Sequence, residues 1–239
     1  TAGGAAALAA CAPVATGSAT AAPSAAAKQP KTGGTLRIGI VGGLTGTIEP
    51  TAFNSGVADF YFAPFDHLIE REYSAVGTPK PLLAESWDIN KDYTQQKFVL
   101  RKGVQFHTGR ELTSADVKWT LERLWDASLG SGHFQLMALW YKAPDGSIET
   151  PDKYTVIFKS NVPRPALRDY MERLNILDPN AYKDSPKANT TAVGTGPFKL
   201  VDYVPGVKFN MVTVRRNPGE QQEGERQYDR EPGAPRGGL

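Results

Sequence analysis

The sequence predicts a mixed α/β (α+β) body. Segments with apolar residues at every second position alternate along the chain with segments at helical spacing. The composition can also fill a core: of 239 residues, 40% are hydrophobic and 22% charged, well outside the range of chains that stay unfolded. Lys and Arg (27) nearly balance Asp and Glu (25), leaving a formal charge of +2 with no block of five like charges. A nucleic-acid binder would carry a basic stripe, and none is present. One cysteine excludes a disulfide framework and a Cys-rich zinc site. No run of apolar side chains is long enough to cross a bilayer as a helix.

Both ends depart from this pattern. Residues 1–27 carry no charge, and fourteen of them are alanine; methyl groups bury too little area to offset chain ordering. Within this stretch, Leu8-Ala9-Ala10-Cys11 resembles a bacterial lipobox, in which the cysteine thiol takes a diacylglyceryl group. Residues 1–11 then read as the remainder of a lipoprotein signal segment, Met and a basic region being absent before them. The alternative is a chance cysteine in an Ala-rich linker. Residues 12–33 read as a flexible Ala/Pro/Ser/Thr tether with a reach of roughly 25 Å. At the other end, residues 219–239 hold one aromatic, Tyr228, among Glu, Gln, Arg, Gly and Pro, and are expected to be disordered, from frameshifted or truncated coding sequence. The body is therefore residues 34–218.

Residues 34–40 place Leu36, Ile38 and Ile40 on one side, the pattern of a half-buried strand. The following Gly42-Gly43-Leu44-Thr45-Gly46-Thr47 is a loop without the Gly-Lys-Ser/Thr of a phosphate cradle. Residues 56–70 carry Val57, Phe60, Tyr61, Phe65 and Leu68 at helical spacing, interrupted by Pro64. Residues 97–101 and 104–107 alternate on either side of Lys102-Gly103, a hairpin signal. Thr113, with Asp116 three residues later, starts the clearest helix, buried through Val117, Thr120, Leu121 and Leu124. Tyr154, Val156 and Phe158 mark another strand. Pro165 suits the first turn of a helix with Leu167, Tyr170, Met171 and Leu174 inward. Two further strands, around Phe198-Leu200 and Val207-Phe209-Met211, flank Pro205-Gly206.

Catalytic chemistry is not visible. His67, His107 and His133 lack the spacing of paired metal ligands, and each reads as a structural histidine. No Gly-x-Ser-x-Gly elbow supplies a nucleophile. The sequence therefore indicates no enzyme, no metal and no cofactor.

Three stretches in order carry a resemblance. The first runs through Leu82-Leu83-Ala84-Glu85-Ser86-Trp87, then Leu100-Arg101-Lys102-Gly103-Val104-Gln105-Phe106-His107, then Leu112-Thr113-Ser114-Ala115-Asp116-Val117. The second is Pro151-Asp152-Lys153-Tyr154-Thr155-Val156, and the third Gly194-Thr195-Gly196-Pro197-Phe198 followed by Asn217-Pro218. Over residues 34–218 the chain resembles the extracellular solute-binding proteins of peptide/nickel ABC transporters, the dipeptide- and oligopeptide-binding family. The resemblance implies a type II two-lobe periplasmic-binding-protein clamp, with this chain supplying an incomplete first lobe and a small inserted subdomain. The second lobe is expected to be absent from this chain, and binding by a lone lobe to be weak. It implies a lipid-anchored, extracytoplasmic protein that takes a peptide or other small solute and hands it to ABC permease subunits. Thr45, Gly46, Thr47 and Asn54 are the candidate ligand-wall residues, by analogy, and Cys11 the lipidation site. Gly103 is expected at a hairpin turn, Trp87 beneath that hairpin, and Gly194 and Gly196 at a turn into the Phe198 strand. After Asn217-Pro218 relatives continue with an aromatic pair, whereas this chain reads Gly219-Glu220-Gln221-Gln222. Dipeptides, oligopeptides, nickel complexes and sugars all occur on this scaffold; nickel is disfavoured here by the lack of a His cluster. The alternative function is a non-transport surface lipoprotein that uses the scaffold for protein–protein interaction.

Overall fold

The computed structural model describes residues 33–39, 48, 50, 63–71, 78–126, 128, 133–184, 190–214 and 225–229. Within them lie two hydrophobic cores. The first is built on a four-stranded antiparallel sheet in the order β3-β4-β6-β5, formed by β3 (Ala84–Ile89), β4 (Gln95–Leu100), β5 (Gly146–Asp152) and β6 (Thr155–Ser160). In β4, Gln96, Phe98 and Leu100 are buried while Gln95 and Lys97 are exposed, the period-2 pattern of a sheet with one covered face. Phe98 meets Phe158 of β6 edge-on at 5.7 Å, a favoured aromatic geometry. A short two-stranded ribbon, β1 (Ile69–Arg71) with β2 (Pro79–Pro81), precedes this sheet.

Helix α1 (Ser114–Arg123) covers β5 and β6. Thr113 is its N-cap; the Asp116 carboxylate accepts from the Thr113 backbone N–H at 2.8 Å and from its hydroxyl at 2.9 Å. Val117, Thr120 and Leu121 face inward as their spacing predicts. Helix α2 (His133–Leu139) packs on the short α3 (Leu167–Met171), whose Leu167 and Met171 reach the first core. Trp87 also packs against this core, from β3.

The second core gathers Ile48, Phe65, Leu177, Tyr182, Ala192, Phe209 and Met211. It lies against β7 (Phe198–Val204) and β8 (Lys208–Thr213), a hairpin extended by β9 (Glu225–Asp229). Helix α4 (Pro179–Tyr182) contributes Tyr182, its N-cap Asp178 accepting from the Asn180 N–H at 3.0 Å.

Four expectations are corrected. Residues 33–39 form no strand: Leu36 is 48% and Ile38 37% exposed. An alternating pattern becomes a strand only where it meets a paired edge and a face to cover, and no described strand pairs with this one. The predicted 56–70 helix is absent from its described part. Phe65, Asp66, His67, Leu68 and Ile69 are buried in succession and lead into β1, an extended chain threading the interior rather than one helical face. The stretch 104–107 does not return against 97–101; β4 pairs with β3 and β6 instead. Gly103, at φ +73°, still makes the turn, and the chain leaves it for a single bridge between Gln105 and Glu111. Inside the tail expected to be disordered, Glu225–Asp229 is strand β9, hydrogen-bonded along β8; the β8 edge gives those backbone groups partners that composition does not reveal.

Candidate functional site

Where the two cores meet, the chain places a cluster of buried polar side chains. Gly194-Thr195-Gly196 runs alongside residues 63–65, with the Gly196 N–H donating to the Pro64 carbonyl at 3.0 Å and the Phe198 N–H to the Ala63 carbonyl at 3.1 Å. The two glycines act through close approach. A Cβ on Gly196 would sit 2.5 Å from the Ala63 carbonyl oxygen, and one on Gly194 2.5 Å from Phe65 Cδ1. Residues 194–197 bend into β7, as expected, and the glycines are required there for close backbone packing rather than for a left-handed conformation. Between them, the Thr195 hydroxyl donates to Asp66 at 2.9 Å, both side chains buried.

Two histidines complete the junction. His67 Nε2 meets Asn175 Oδ1 at 3.1 Å, and the Asn175 amide reaches the Pro50 carbonyl at 3.5 Å. Burial holds the His67 imidazole below its ordinary pKa of 6.5, outweighing the Asn175 hydrogen bond and the nearby Asp66 charge, which both favour protonation. His107 Nε2 lies 2.9 Å from the Gly196 carbonyl, and the Gly194 N–H is directed at His107 Nδ1 at 3.4 Å. Its pKa is also lowered, chiefly by burial, with Lys199 adding to the effect against the Gly196 hydrogen bond and Asp66. Both rings are held by hydrogen bonds within the junction, and His67 sits on extended chain rather than on the expected helix.

Beside this junction, Asp178, wholly buried, accepts from Arg110 Nε and Nη2 at 3.1 and 2.8 Å and from the Thr108 hydroxyl at 2.6 Å. The same guanidinium reaches Asp116 at 2.9 Å. One arginine therefore links the first turn of α1 to the N-cap of α4, and two buried carboxylates are compensated by one cation that remains partly in water.

The sequence-predicted site residues Thr45, Gly46, Thr47 and Asn54 lie outside the described residues, as does Cys11 and the side chain of His133. Their nearest described neighbours, Ile48 and Pro50, are both buried, and Pro50 receives the Asn175 amide. Asp66, Asn175, Arg110 and Asp178 went unseen in the sequence reading. Beside the local contacts of Arg110 with Asp116 and of Asp178 with Asn180, the partners that tie them into the junction lie 68 to 129 residues away, and no local spacing encodes such pairings. Among the described residues no group of three or more His, Cys, Asp or Glu side chains is placed to hold a metal, and no helix is long and apolar enough to cross a membrane.

A family model for bacterial extracellular solute-binding proteins, family 5 (middle), matches residues 78–228, more than half of the chain. The chain belongs to this family. The match runs from the residue before β2 into β9, past the point where the sequence reading lost the family pattern. Among curated family 5 relatives, a putative ABC transporter peptide-binding protein of Brucella ovis is 30% identical over 68% of this chain and 31% of its own length. The di/tripeptide-binding protein 4 of Pseudomonas aeruginosa is 34% identical over 58% of this chain and 29% of its own. The chain thus spans about a third of the curated relatives it matches. These relatives are described as binding proteins. Among solved structures, the PBP AgaA of A. tumefaciens R10 in complex with agropinic acid superposes with a TM-score of 0.63 at 29% identity, over 77% of this chain and 37% of that one. The substrate-binding protein CtaP of Listeria monocytogenes superposes at 0.69 and 23% identity over 84% of this chain and 41% of that one, a likeness of fold. The mixed α/β architecture is that of part of a type II periplasmic binding protein.

Proposed function

We propose that this chain supplies one wall of an extracellular solute-binding protein that captures peptides, or similar small solutes, for an ABC importer. The observation that carries it is the family match over residues 78–228, joined to curated relatives described as peptide-binding. On this reading residues 34–218 form part of the first lobe with its small inserted subdomain, and ligand meets Thr45, Gly46, Thr47 and Asn54. Residues 1–11 end in a lipidated Cys11 and residues 12–33 tether the lobe to the outer face of the membrane, where permease subunits receive the solute. The buried neighbours Ile48 and Pro50 support this placement, since they hold to the core the stretch of chain between residues 45–47 and Asn54.

One wall buries only part of a ligand, so affinity is expected in the millimolar range, on the order of −4 kcal/mol. Nitrogen-15 NMR of the chain during titration with a panel of di- and tripeptides reads binding of that strength. Amide shifts at residues 45–54 that saturate with peptide, and stay unchanged with a neutral disaccharide, support the proposal. Peptide titrations that leave 45–54 unmoved refute it and favour the non-transport, protein-binding alternative.

A further inference from the structure

At one end of the four-stranded sheet the chain forms a cleft of about 430 Å³. Its floor is a row across three strands. Gln95 of β4 and Ser147 of β5 both stand in register with Lys159 of β6. Cross-strand partners point to one side of a sheet, so the three side chains lie next to one another on the face opposite the buried Gln96 and Phe158. One wall is the turn from β3 to β4, through Asn90 and Thr94; the other is Pro144 with Asn161. Both walls are fixed from within. The Asn90 amide donates to the Thr94 hydroxyl at 3.0 Å, and its oxygen accepts from the Gln95 N–H at 2.9 Å. The Asn161 amide donates to the Pro144 carbonyl at 2.8 Å. The Tyr93 and Thr94 carbonyls accept from the Arg164 and Ser160 N–H groups, each at 2.9 Å. Tyr93 is thereby held at φ 58°, a left-handed backbone that an aromatic residue rarely adopts. Such strain persists only where the surroundings enforce it, and it gathers at binding sites.

The lining selects the chemistry of the occupant. Amide and hydroxyl side chains dominate it, and each of these both donates and accepts. An apolar molecule would leave them unserved. Lys159 is the charged residue of the lining, which disfavours a cation, and its ammonium lies 2.8 Å from the Glu149 carboxylate. An anion would have to compete with Glu149, and it would approach walls that carry Asp92 in one connection and Asp145 in the other. A neutral molecule bearing many hydroxyls suits every part of the surface, because each hydroxyl also both donates and accepts. We propose that this cleft binds a small neutral polyhydroxylated solute, a monosaccharide, disaccharide or polyol, at a site separate from the candidate wall at residues 45–54. Gln95 and Ser147 bond its hydroxyls from the floor, and Lys159 donates to a hydroxyl oxygen between them.

Nitrogen-15 NMR of the chain, titrated with glucose, maltose and sorbitol and separately with acetate and diglycine, tests this. Expected are shifts of the backbone amides at 90–95, 147 and 159–161 that saturate with at least one of the three polyhydroxylated probes and with neither charged one. Gln95→Ala and Ser147→Ala should each weaken that binding by about three- to tenfold, one hydrogen bond apiece, without lowering Tm. Lys97→Ala, on the same face of β4 but outside the cleft, should leave affinity unchanged. Shifts that rise linearly without saturating, saturation with acetate or diglycine instead, or an affinity that neither alanine variant moves would each overturn the proposal. The amides that report it belong to the four-stranded sheet and its connections, so its failure leaves the reading of residues 45–54 standing.

Discussion

Gly196→Ala gives the sharpest test of how the two cores are joined. The added methyl would lie 2.5 Å from the Ala63 carbonyl oxygen, 2.6 Å from the Pro64 carbonyl carbon and 2.7 Å from the Phe65 nitrogen. All three are backbone atoms, so no flexible side chain can give way. Ordinary contact begins near 3.4 Å, and the two segments must separate by about 0.9 Å to reach it. That movement takes the Gly196-to-Pro64 hydrogen bond from 3.0 Å to roughly 3.9 Å, beyond hydrogen-bond range. The Phe198-to-Ala63 bond, at 3.1 Å, shares the same ladder. Each lost backbone bond costs about 1–2 kcal/mol when its groups stay buried, and residual overpacking adds about 1 kcal/mol or more. The expected sum is about 3–5 kcal/mol, a Tm lower by on the order of 10 °C for a chain of this size. Urea unfolding followed by tryptophan fluorescence measures it, with Gly39→Ala as the control. A Cβ there meets nothing within 4 Å, and its effect should stay within about 0.5 kcal/mol. A Gly196→Ala protein within about 1 kcal/mol of the parent would refute the account of the glycines as close-approach residues.

Stability should also fall with acid in two stages. His67 and His107 have pKa values lowered in the fold, so below pH 6.5 the unfolded chain binds protons that the folded chain resists. Their contribution is fully present above 6.5 and is lost as pH falls beneath it, by up to about 1.4 kcal/mol per pH unit for each ring. The Glu111 carboxylate is held at about 2 by Lys153, Tyr154 and the Gly103 N–H, so its smaller, solvent-screened share disappears only between its ordinary 4.5 and 2. A urea midpoint unchanged between pH 7 and 5 would contradict the burial of both imidazoles. In a cell making the membrane-associated form, Cys11→Ala should move the protein from the membrane to the soluble fraction; unchanged membrane retention would rule out lipidation there.

Local physics was legible in the sequence and long-range pairing was not. The helix opened by Thr113 and Asp116, the β7–β8 hairpin and the β6 strand all announce themselves through residues a few positions apart. The hydrogen bonds of the helix and of the β5–β6 and β7–β8 hairpins close locally, so propensity and pattern agree with the fold, while β6 also pairs with the distant β4. The errors fall where a segment's environment is set by distant chain. Residues 65–69 look helical because Phe65 and Leu68 are three apart, but Phe65 is buried in the second core and Leu68 and Ile69 in the first, while Asp66 and His67 bond Thr195 and Asn175. Residues 34–40 carry a sound strand pattern, and pattern alone cannot supply an edge to pair with. The motif string around Gly194 was visible, whereas its reason was not. The atoms that require glycine belong to residues 63–65, some 130 positions earlier.

That distribution of legibility bears on how the site is built. The family motifs include residues at the junction of the two cores: His107 at the end of one motif, Gly194-Thr195-Gly196 in another, Asp116 in a third. Asp116 shares Arg110 with Asp178, and His107 and Thr195 converge on the glycine strip and Asp66. The motifs therefore specify how one hydrophobic unit is seated on the other. On the proposed reading, a clamp that closes on a solute needs walls that do not deform when the solute arrives. Buried, mutually satisfied polar contacts provide that, because each has a single good geometry, while apolar contacts tolerate sliding. Ile48 and Pro50 sit on this rigid junction, with the candidate ligand residues on either side of them in sequence. Loosening the junction at Gly196 should then weaken solute binding as well as stability, and the two losses should track each other across variants of the glycine strip.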